Sequence, residues 1–220
     1  MTTMELLAWV KGPGLVFAIV AMLFGVVVRL FEIWMLGRKK DLSEARNPAS
    51  GKYGWRTVIT RSFPDLSSGQ KLPVVFISGY IFHFGLFFIV FFFVPHIQLI
   101  KDLTGISWPG ISHGLIDGIT LITMITMVFI LWHRVGDRVR RYISRFSDYY
   151  VWTITFLPVV TGYLLFHRLM LPYNEMMIIH IVTVELLLIS LPLTKLIHTF
   201  TFVLSRWYTG EAAGRKGVKI

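Results

Sequence analysis

Apolar residues of the chain fall in five long blocks that are separated by polar segments. The blocks are close to the roughly 20 residues that an α-helix needs to cross a bilayer's hydrocarbon core. The pattern therefore predicts an all-α integral membrane protein, with one domain over residues 1–220 that is a bundle of five transmembrane helices. We expect spans at about 13–35, 73–98, 114–132, 151–166 and 176–204, with a loop at 37–72.

Composition agrees with a membrane domain and restricts its chemistry. Hydrophobic residues make up 55% of the 220 residues, and the chain contains no cysteine. It therefore lacks the thiolates needed to hold an iron–sulfur cluster, attach a c-type haem or form a disulfide, so any iron–sulfur chemistry must belong to a partner. The apolar run near the N-terminus is too long for the core of a signal peptide, so we expect it to be retained.

Basic residues predict the orientation. One side carries 17 lysines and arginines, and the opposite side carries only Lys11, Lys101 and Arg168. By the positive-inside rule the N-terminus faces outward and the C-terminus faces the cytoplasm, as in a multi-pass protein of the inner (cytoplasmic) membrane. The net charge of +10 thus reflects topology and lipid contact; no motif indicates nucleic acid. The crowded side holds Arg38, Lys39, Lys40, Arg46, Lys52, Arg56, Arg61, Lys71, Arg134, Arg138, Arg140, Arg141, Arg145, Arg206, Arg215, Lys216 and Lys219.

The loop at 37–72 is longer than a simple connection requires. It mixes charge with Tyr53, Trp55 and Phe63, a composition that suits the docking of a partner.

Histidines supply the candidate chemistry. His180 and His198 are eighteen residues apart in one apolar block. On a continuous helix that is five turns and about 27 Å, so both imidazoles would leave the same face near opposite sides of a membrane. Two metal centres stacked across a bilayer would need this arrangement. A membrane histidine that merely hydrogen-bonds a neighbouring helix is the competing interpretation.

The second and fifth spans are expected to be antiparallel, so their histidines can be paired by their expected depth in the membrane. His83 and His198 fall on the cytoplasmic side, and His180 falls on the outer side with His96. Paired imidazoles from facing helices are a common way to hold a b-type haem, so these pairs predict an inner and an outer haem b. His96 lies roughly 140° round a straight helix from His83, a difference that a bend at Pro95 could correct.

The partner of His180 has competitors. His113 and His167 are expected at a similar depth. Lys195, inside the fifth block, needs a counter-charge and could pair with a haem propionate.

Two motifs carry a resemblance to a known family. GYIFHFG surrounds His83, and PLTKLIH ends at His198 with the spacing from His180 kept. With the span number, these resemble the gamma subunit of respiratory nitrate reductase and the related diheme cytochromes b of heterodisulfide reductase and of sulfate reducers' membrane redox complexes. In the nitrate reductase member the second histidine of span two comes ten residues after the first, where this chain has Phe93. The stretch VPHIQLIKDLTGISWP, with His96, looks more like the sulfur- and heterodisulfide-associated branch.

The resemblance implies two haem b groups and a bound quinone, either menaquinone or ubiquinone. It also implies a cytoplasmic iron–sulfur partner of the heterodisulfide reductase catalytic type, and it admits further membrane or periplasmic cytochrome subunits. In the family a quinol site lies beside the outer haem near the start of span three, where His113 stands with Asp117 one turn on. An imidazole can bond a quinone carbonyl and accept a proton, although His113 is equally interpretable as an interfacial residue.

The expected function is that of a diheme cytochrome b, the quinone-reacting subunit of an oxidoreductase complex. It would exchange electrons between a membrane quinone and the iron–sulfur partner. Two alternatives remain: a non-redox scaffold or proton-conducting subunit, and a cytochrome b anchor of a nitrate reductase or a periplasmic-facing dehydrogenase. Haem absorption of the purified protein separates the first alternative from the others.

Overall fold

The structure, a computed structural model, describes residues 1–37, 42, 44–47, 50–63 and 74–218. This part of the chain is helical and contains no β-strand. It divides into two compact units, Met1–Phe17 with Leu72–Leu187 and Ala18–Lys71 with Leu188–Ile220. Several residues used to predict orientation lie outside the described residues: Arg38, Lys39, Lys40, Lys71 and Lys219.

Ten α-helices follow one another in the described residues. A π-helical turn, Val10–Gly14, joins the first two, and a 3₁₀ turn, Lys195–Ile197, precedes the last. The helices are α1 (Thr3–Trp9), α2 (Leu15–Leu36), α3 (Ser50–Thr60), α4 (Val74–Phe92), α5 (Val94–Thr104), α6 (His113–Gly136), α7 (Arg138–Ile143), α8 (Phe146–Phe166), α9 (Tyr173–Ser190) and α10 (His198–Arg215).

The predicted membrane class is confirmed at the level of helix length and composition. Four helical stretches are long and apolar enough to span a membrane, and a fifth qualifies if two helices that meet at a 60° bend count as one span. The four stretches are Thr3–Leu36, His113–Gly136, Phe146–Phe166 and Tyr173–Ser190, and the bent pair is Phe76–Phe92 with Val94–Thr104. The orientation across a membrane remains a prediction from charge.

The second predicted span, 73–98, is interrupted. Helix α4 ends at Phe92, and Phe93 is extended, with φ −78° and ψ 123°. Helix α5 then begins with Pro95 in its first turn, where the missing N–H of proline breaks no helical hydrogen bond. Carbonyls at the end of α4 gain new donors: Trp108 Nε1 donates to Phe91 O at 2.6 Å, and Ile111 N donates to Phe92 O at 3.0 Å.

The fifth predicted span, 176–204, is also interrupted. Helix α9 ends at Ser190, and turns at 191–194 lead into the 3₁₀ turn before α10. Pro192 lies in this break, and Arg29 Nε donates to its carbonyl at 3.1 Å. No continuous helix therefore joins His180 to His198, and the expectation that both project from one face of a single helix does not hold.

The helices of the first unit pack through small and hydroxyl-bearing residues. Gly85 of α4 lies directly against Thr123 of α6, and Trp152 Nε1 of α8 donates to Met127 O of α6 at 2.9 Å. The hydroxyl of Thr123 donates to the carbonyl four residues earlier in its own helix. Close helix approach through such residues is typical of membrane helices.

In the second unit α3 packs along α10. Gly210 and Gly214 of α10 admit Thr57 and Tyr53 of α3, because a Cβ at either glycine would collide with those residues. The predicted loop at 37–72 therefore contains a helix with a packed partner. Outside the described residues lie parts of that loop, 38–41, 43, 48–49 and 64–72, and position 73 of the second predicted span.

Candidate functional site

Two of the predicted ligand residues, His96 and His180, face each other in the first unit. Their imidazole rings are nearly parallel, with an interplanar angle of 12°, and the ring centroids are 6.3 Å apart. His96 comes from α5 and His180 from α9. The structure thus brings together the two histidines that sequence depth pairs on the outer side, although they lie on separate helical segments.

The break after α4 sets the tautomer of His96. Ile89 lies in the last turn of α4, where carbonyls lose their helical donors. The Nδ1 of His96 is 2.8 Å from Ile89 O, and a carbonyl can only accept, so the imidazole proton is assigned to Nδ1. The lone pair of His96 is then on Nε2, where it can bind a metal.

Thr161 of α8 sets the tautomer of His180. The Thr161 hydroxyl donates to Leu157 O at 2.8 Å, so at His180 Nδ1, 3.1 Å away, it acts as acceptor. Thr183 stands 3.2 Å from the same hydroxyl and donates to the His180 carbonyl at 2.8 Å. The proton of His180 is therefore assigned to Nδ1, which again leaves the Nε2 lone pair as the coordinating group.

The distance between the two ring centroids is one that two imidazoles on a shared metal would also have. A metal–imidazole bond of about 2 Å, with the ring nitrogen about 1.1 Å from its centroid, places two coaxial ligand rings roughly 6.2 Å apart. The observed separation between the rings of His96 and His180 is 6.3 Å. Ligating histidines usually donate their other N–H to a carbonyl or similar acceptor, as both do here.

In the part of the chain that the structure describes, His96 and His180 do not belong to a larger cluster of metal-ligating side chains. Among the described residues no group of three or more histidine, aspartate or glutamate side chains could hold a metal ion. A metal held by His96 and His180 would need further ligands from outside these residues, and the four nitrogens of a porphyrin are one such set. Two imidazole nitrogens are a donor set that fits a b-type haem.

Gly162 of α8 lies against the ring of His180. A Cβ at this position would stand 3.0 Å from Cε1 and 3.4 Å from Nδ1 of the imidazole. Any larger residue would push the ring. Neither Thr161 nor Gly162 could be predicted from the sequence, because contacts between helices leave no periodic signal in one sequence. An isolated Thr-Gly pair in an apolar helix is a weak cue.

The predicted inner ligands lie in different units. His83 is in α4 of the first unit, and His198 begins α10 of the second. Each has its Nδ1 against a local carbonyl, Gly79 O at 2.6 Å for His83 and Lys195 O at 2.7 Å for His198, so Nε2 carries the lone pair in both. Their pairing remains a prediction, as does the contact of the exposed Lys195 with a propionate.

The predicted quinone residues lie at the start of α6. His113 stacks on Phe166 at 5.8 Å between centroids and meets the edge of Phe93 at 6.0 Å. Phe93 also contacts His96, at 5.2 Å, and so links His113 to the paired histidines. Asp117 bonds His167, with 2.7 Å between Oδ1 and Nε2, a contact that the sequence analysis did not anticipate.

Comparison with known proteins supplies little functional information. No protein-family model matches the chain, and no solved structure matches it. A relative from Nitratidesulfovibrio vulgaris (strain Hildenborough), whose name gives no function, is 30% identical to this chain over 144 residues. The match covers 65% of this chain and 63% of the relative, so it spans less than two thirds of the relative's length.

Proposed function

We propose that the chain is a diheme b-type cytochrome subunit of a membrane redox complex, where it exchanges electrons between a quinone and a cytoplasmic iron–sulfur partner. The observation that carries the proposal is the parallel pair of His96 and His180 at 6.3 Å, each with its Nδ1 proton on an acceptor. A histidine that only bridges helices needs one hydrogen bond and no opposed imidazole. When bound, haem iron supplies a one-electron redox centre.

The residues around this pair have distinct parts in the proposal. His96 and His180 would hold the outer haem through their Nε2 atoms, while Ile89 O and Thr161 hold the two rings in the tautomer that leaves Nε2 free to bind. Gly162 leaves room for the ring of His180.

The inner haem belongs to the proposal on the strength of predicted depth. His83 and His198 would be its ligands, and Lys195 would neutralise a propionate. Local support comes from the Nδ1 contacts of both histidines, which are of the same type as that of His96.

The quinone site of the proposal is beside the outer haem. His113 would bond a quinone carbonyl, and its ring is connected to His96 through Phe93. Asp117 would receive a proton in the same region, where its carboxylate now bonds His167. This makes the chain the quinone-reacting subunit of an oxidoreductase complex.

The proposed iron–sulfur partner is inferred from the absence of cysteine in this chain. Without cysteine it provides no thiolate for an iron–sulfur cluster, so onward electron transfer requires a second protein. The choice of the heterodisulfide-associated branch over nitrate reductase rests on the stretch VPHIQLIKDLTGISWP, which includes His96.

Haem analysis of the purified full-length protein tests the proposal. We expect about two haem b per chain, falling to about one in His96→Ala and in His180→Ala. His133→Ala and His167→Ala are matched controls and should keep both haems. A colourless wild-type protein would favour the non-redox alternative, and co-purification with a molybdenum subunit would return the assignment to a nitrate reductase anchor.

A further inference from the structure

Helix α3 of the second unit has one face against α10 and another that is apolar and exposed. Tyr53 and Thr57 lie on the packed face, where Thr57 is only 3% exposed. On the opposite side Trp55 and Ile59, four residues apart, are 60% and 63% exposed. Positions separated by four residues share a helix face, so these two side chains form an outward stripe.

The stripe continues past the end of the helix. Phe63, in the turn after α3, is 66% exposed. A tryptophan, an isoleucine and a phenylalanine at this exposure form an apolar patch of the kind that marks an interaction surface.

The charged residues of α3 and of the turn after it are all basic. Lys52, Arg56 and Arg61 are exposed, and residues 50–63 contain no aspartate or glutamate. Lys52 and Arg56 lie within one turn of Trp55, so basic groups flank the apolar side chains. An apolar stripe bordered by lysine and arginine is complementary to a bilayer surface with anionic headgroups.

The position of α3 along the chain also favours a bilayer surface as the partner of the stripe. Helix α2 ends in Trp34, Met35 and Leu36, which are 65–83% exposed, and it belongs to a stretch long enough to span a membrane. Residues 37–49 connect that end to α3, so a bilayer surface is within reach of the helix. Lysine is depleted from protein–protein interfaces, whereas its apolar stem and charged head suit the lipid headgroup layer.

We propose that α3 lies on the bilayer surface, with Trp55, Ile59 and Phe63 inserted among the lipids and Lys52, Arg56 and Arg61 against anionic headgroups. The helix would thereby hold its partner α10 at the membrane surface. This inference depends on the membrane character of the chain and not on haem, so it stands or falls separately from the proposed function.

Site-directed labelling of the full-length protein in lipid nanodiscs tests the proposal. Because the chain has no cysteine, Ile59→Cys and Thr60→Cys each give a single labelling site without background. Adjacent residues point about 100° apart on a helix, and both positions are exposed, so the pair is matched for folding. A polarity-sensitive fluorophore at position 59 should shift to the blue and be quenched by spin-labelled lipid several-fold more than one at position 60.

The charge requirement is tested in the same sample. Exchanging anionic for zwitterionic lipid should lower the ratio of lipid-shielded to water-exposed label at position 59. Lys52→Gln with Arg56→Gln in anionic nanodiscs should lower the same ratio by about fivefold for each basic charge removed. Equal, water-like responses at positions 59 and 60 in anionic nanodiscs would overturn the proposal. Shielding of position 59 only after addition of the native complex's other subunits would assign the stripe to a protein partner instead.

Discussion

Thr161→Val should weaken the outer haem site while leaving its ligands in place. The substitution removes the hydroxyl that accepts the His180 Nδ1 proton at 3.1 Å and leaves the backbone carbonyl of Pro158 as the other acceptor near this imidazole. Thr161 is 7% exposed, so water cannot readily replace that hydroxyl. Leu157 O, the other partner of the hydroxyl, is a helical carbonyl and retains a backbone donor.

The size of the effect follows from the buried N–H. Loss of an outer hydrogen bond to a metal-ligating histidine typically lowers metal affinity about 10- to 100-fold, and a buried donor left with a poorer acceptor costs up to about 1–3 kcal/mol. We therefore expect outer-haem affinity to fall by about one to two orders of magnitude. The midpoint potential of that haem should rise, because an imidazole without a hydrogen-bonded N–H donates less charge to ferric iron.

Haem transfer to an excess of an apo acceptor protein measures the change, and a redox titration measures the potential. The spectral component that His180→Ala removes identifies the outer haem. Thr155→Val is the matched control: Thr155 is in the same helix, is 5% exposed, and donates to the carbonyl four residues earlier without contacting a histidine. If the two valine variants lose haem at the same rate, the assigned role of Thr161 is refuted.

Three further predictions concern other parts of the chain. Gly162→Ala should displace the His180 ring, because its Cβ would lie 3.0 Å from Cε1, and should change the electron paramagnetic resonance of the outer ferric haem while haem b remains bound. His83→Ala and His198→Ala should each abolish the same, inner haem in a redox titration; loss of different components would refute their pairing. The hydrogen bond from Arg140 N–H lowers the pKa of Asp137, the N-cap of α7. The ionised cap therefore stabilises the helix fully above pH 3.8, the ordinary pKa of aspartate, and this stabilisation is lost as the pH falls through the lowered pKa. Hydrogen exchange of the Arg140 amide, corrected for intrinsic rate, should accelerate over that acidic range in the wild type and show little pH dependence in Asp137→Asn.

Hydropathy predicted the helical membrane class because a long apolar block has few other stable conformations in lipid. It did not predict where the helices stop. The block around Pro95 and the block around Pro192 are both continuous in apolar character, yet each contains a helix end. Proline marks a weak point in such a block, whereas the residue at which the helix ends depends on what caps the released carbonyls.

Separation along the chain explains why the contacts of Thr161 and Asp117 could not be predicted from the sequence. Thr161 lies on a different helix from His180, and neither residue contains information about the other. The histidines themselves were accessible to sequence reasoning because an ionisable group in an apolar block is rare and needs a partner. Asp117 illustrates the limit: its position one turn after His113 suggested a local pair, but its carboxylate bonds His167, fifty residues away in the sequence.

The break after α4 changes the direction in which His96 projects. On a straight helix His96 would point roughly 140° away from His83, so one continuous span could not present both to ligand positions on one side. Ending α4 at Phe92 frees the direction of α5 from that constraint and also exposes the Ile89 carbonyl, to which His96 Nδ1 donates. One local event therefore sets both the direction and the tautomer of this imidazole. The pairing of His96 with His180 consequently depends on the helix end itself, and not only on the depth of the two histidines.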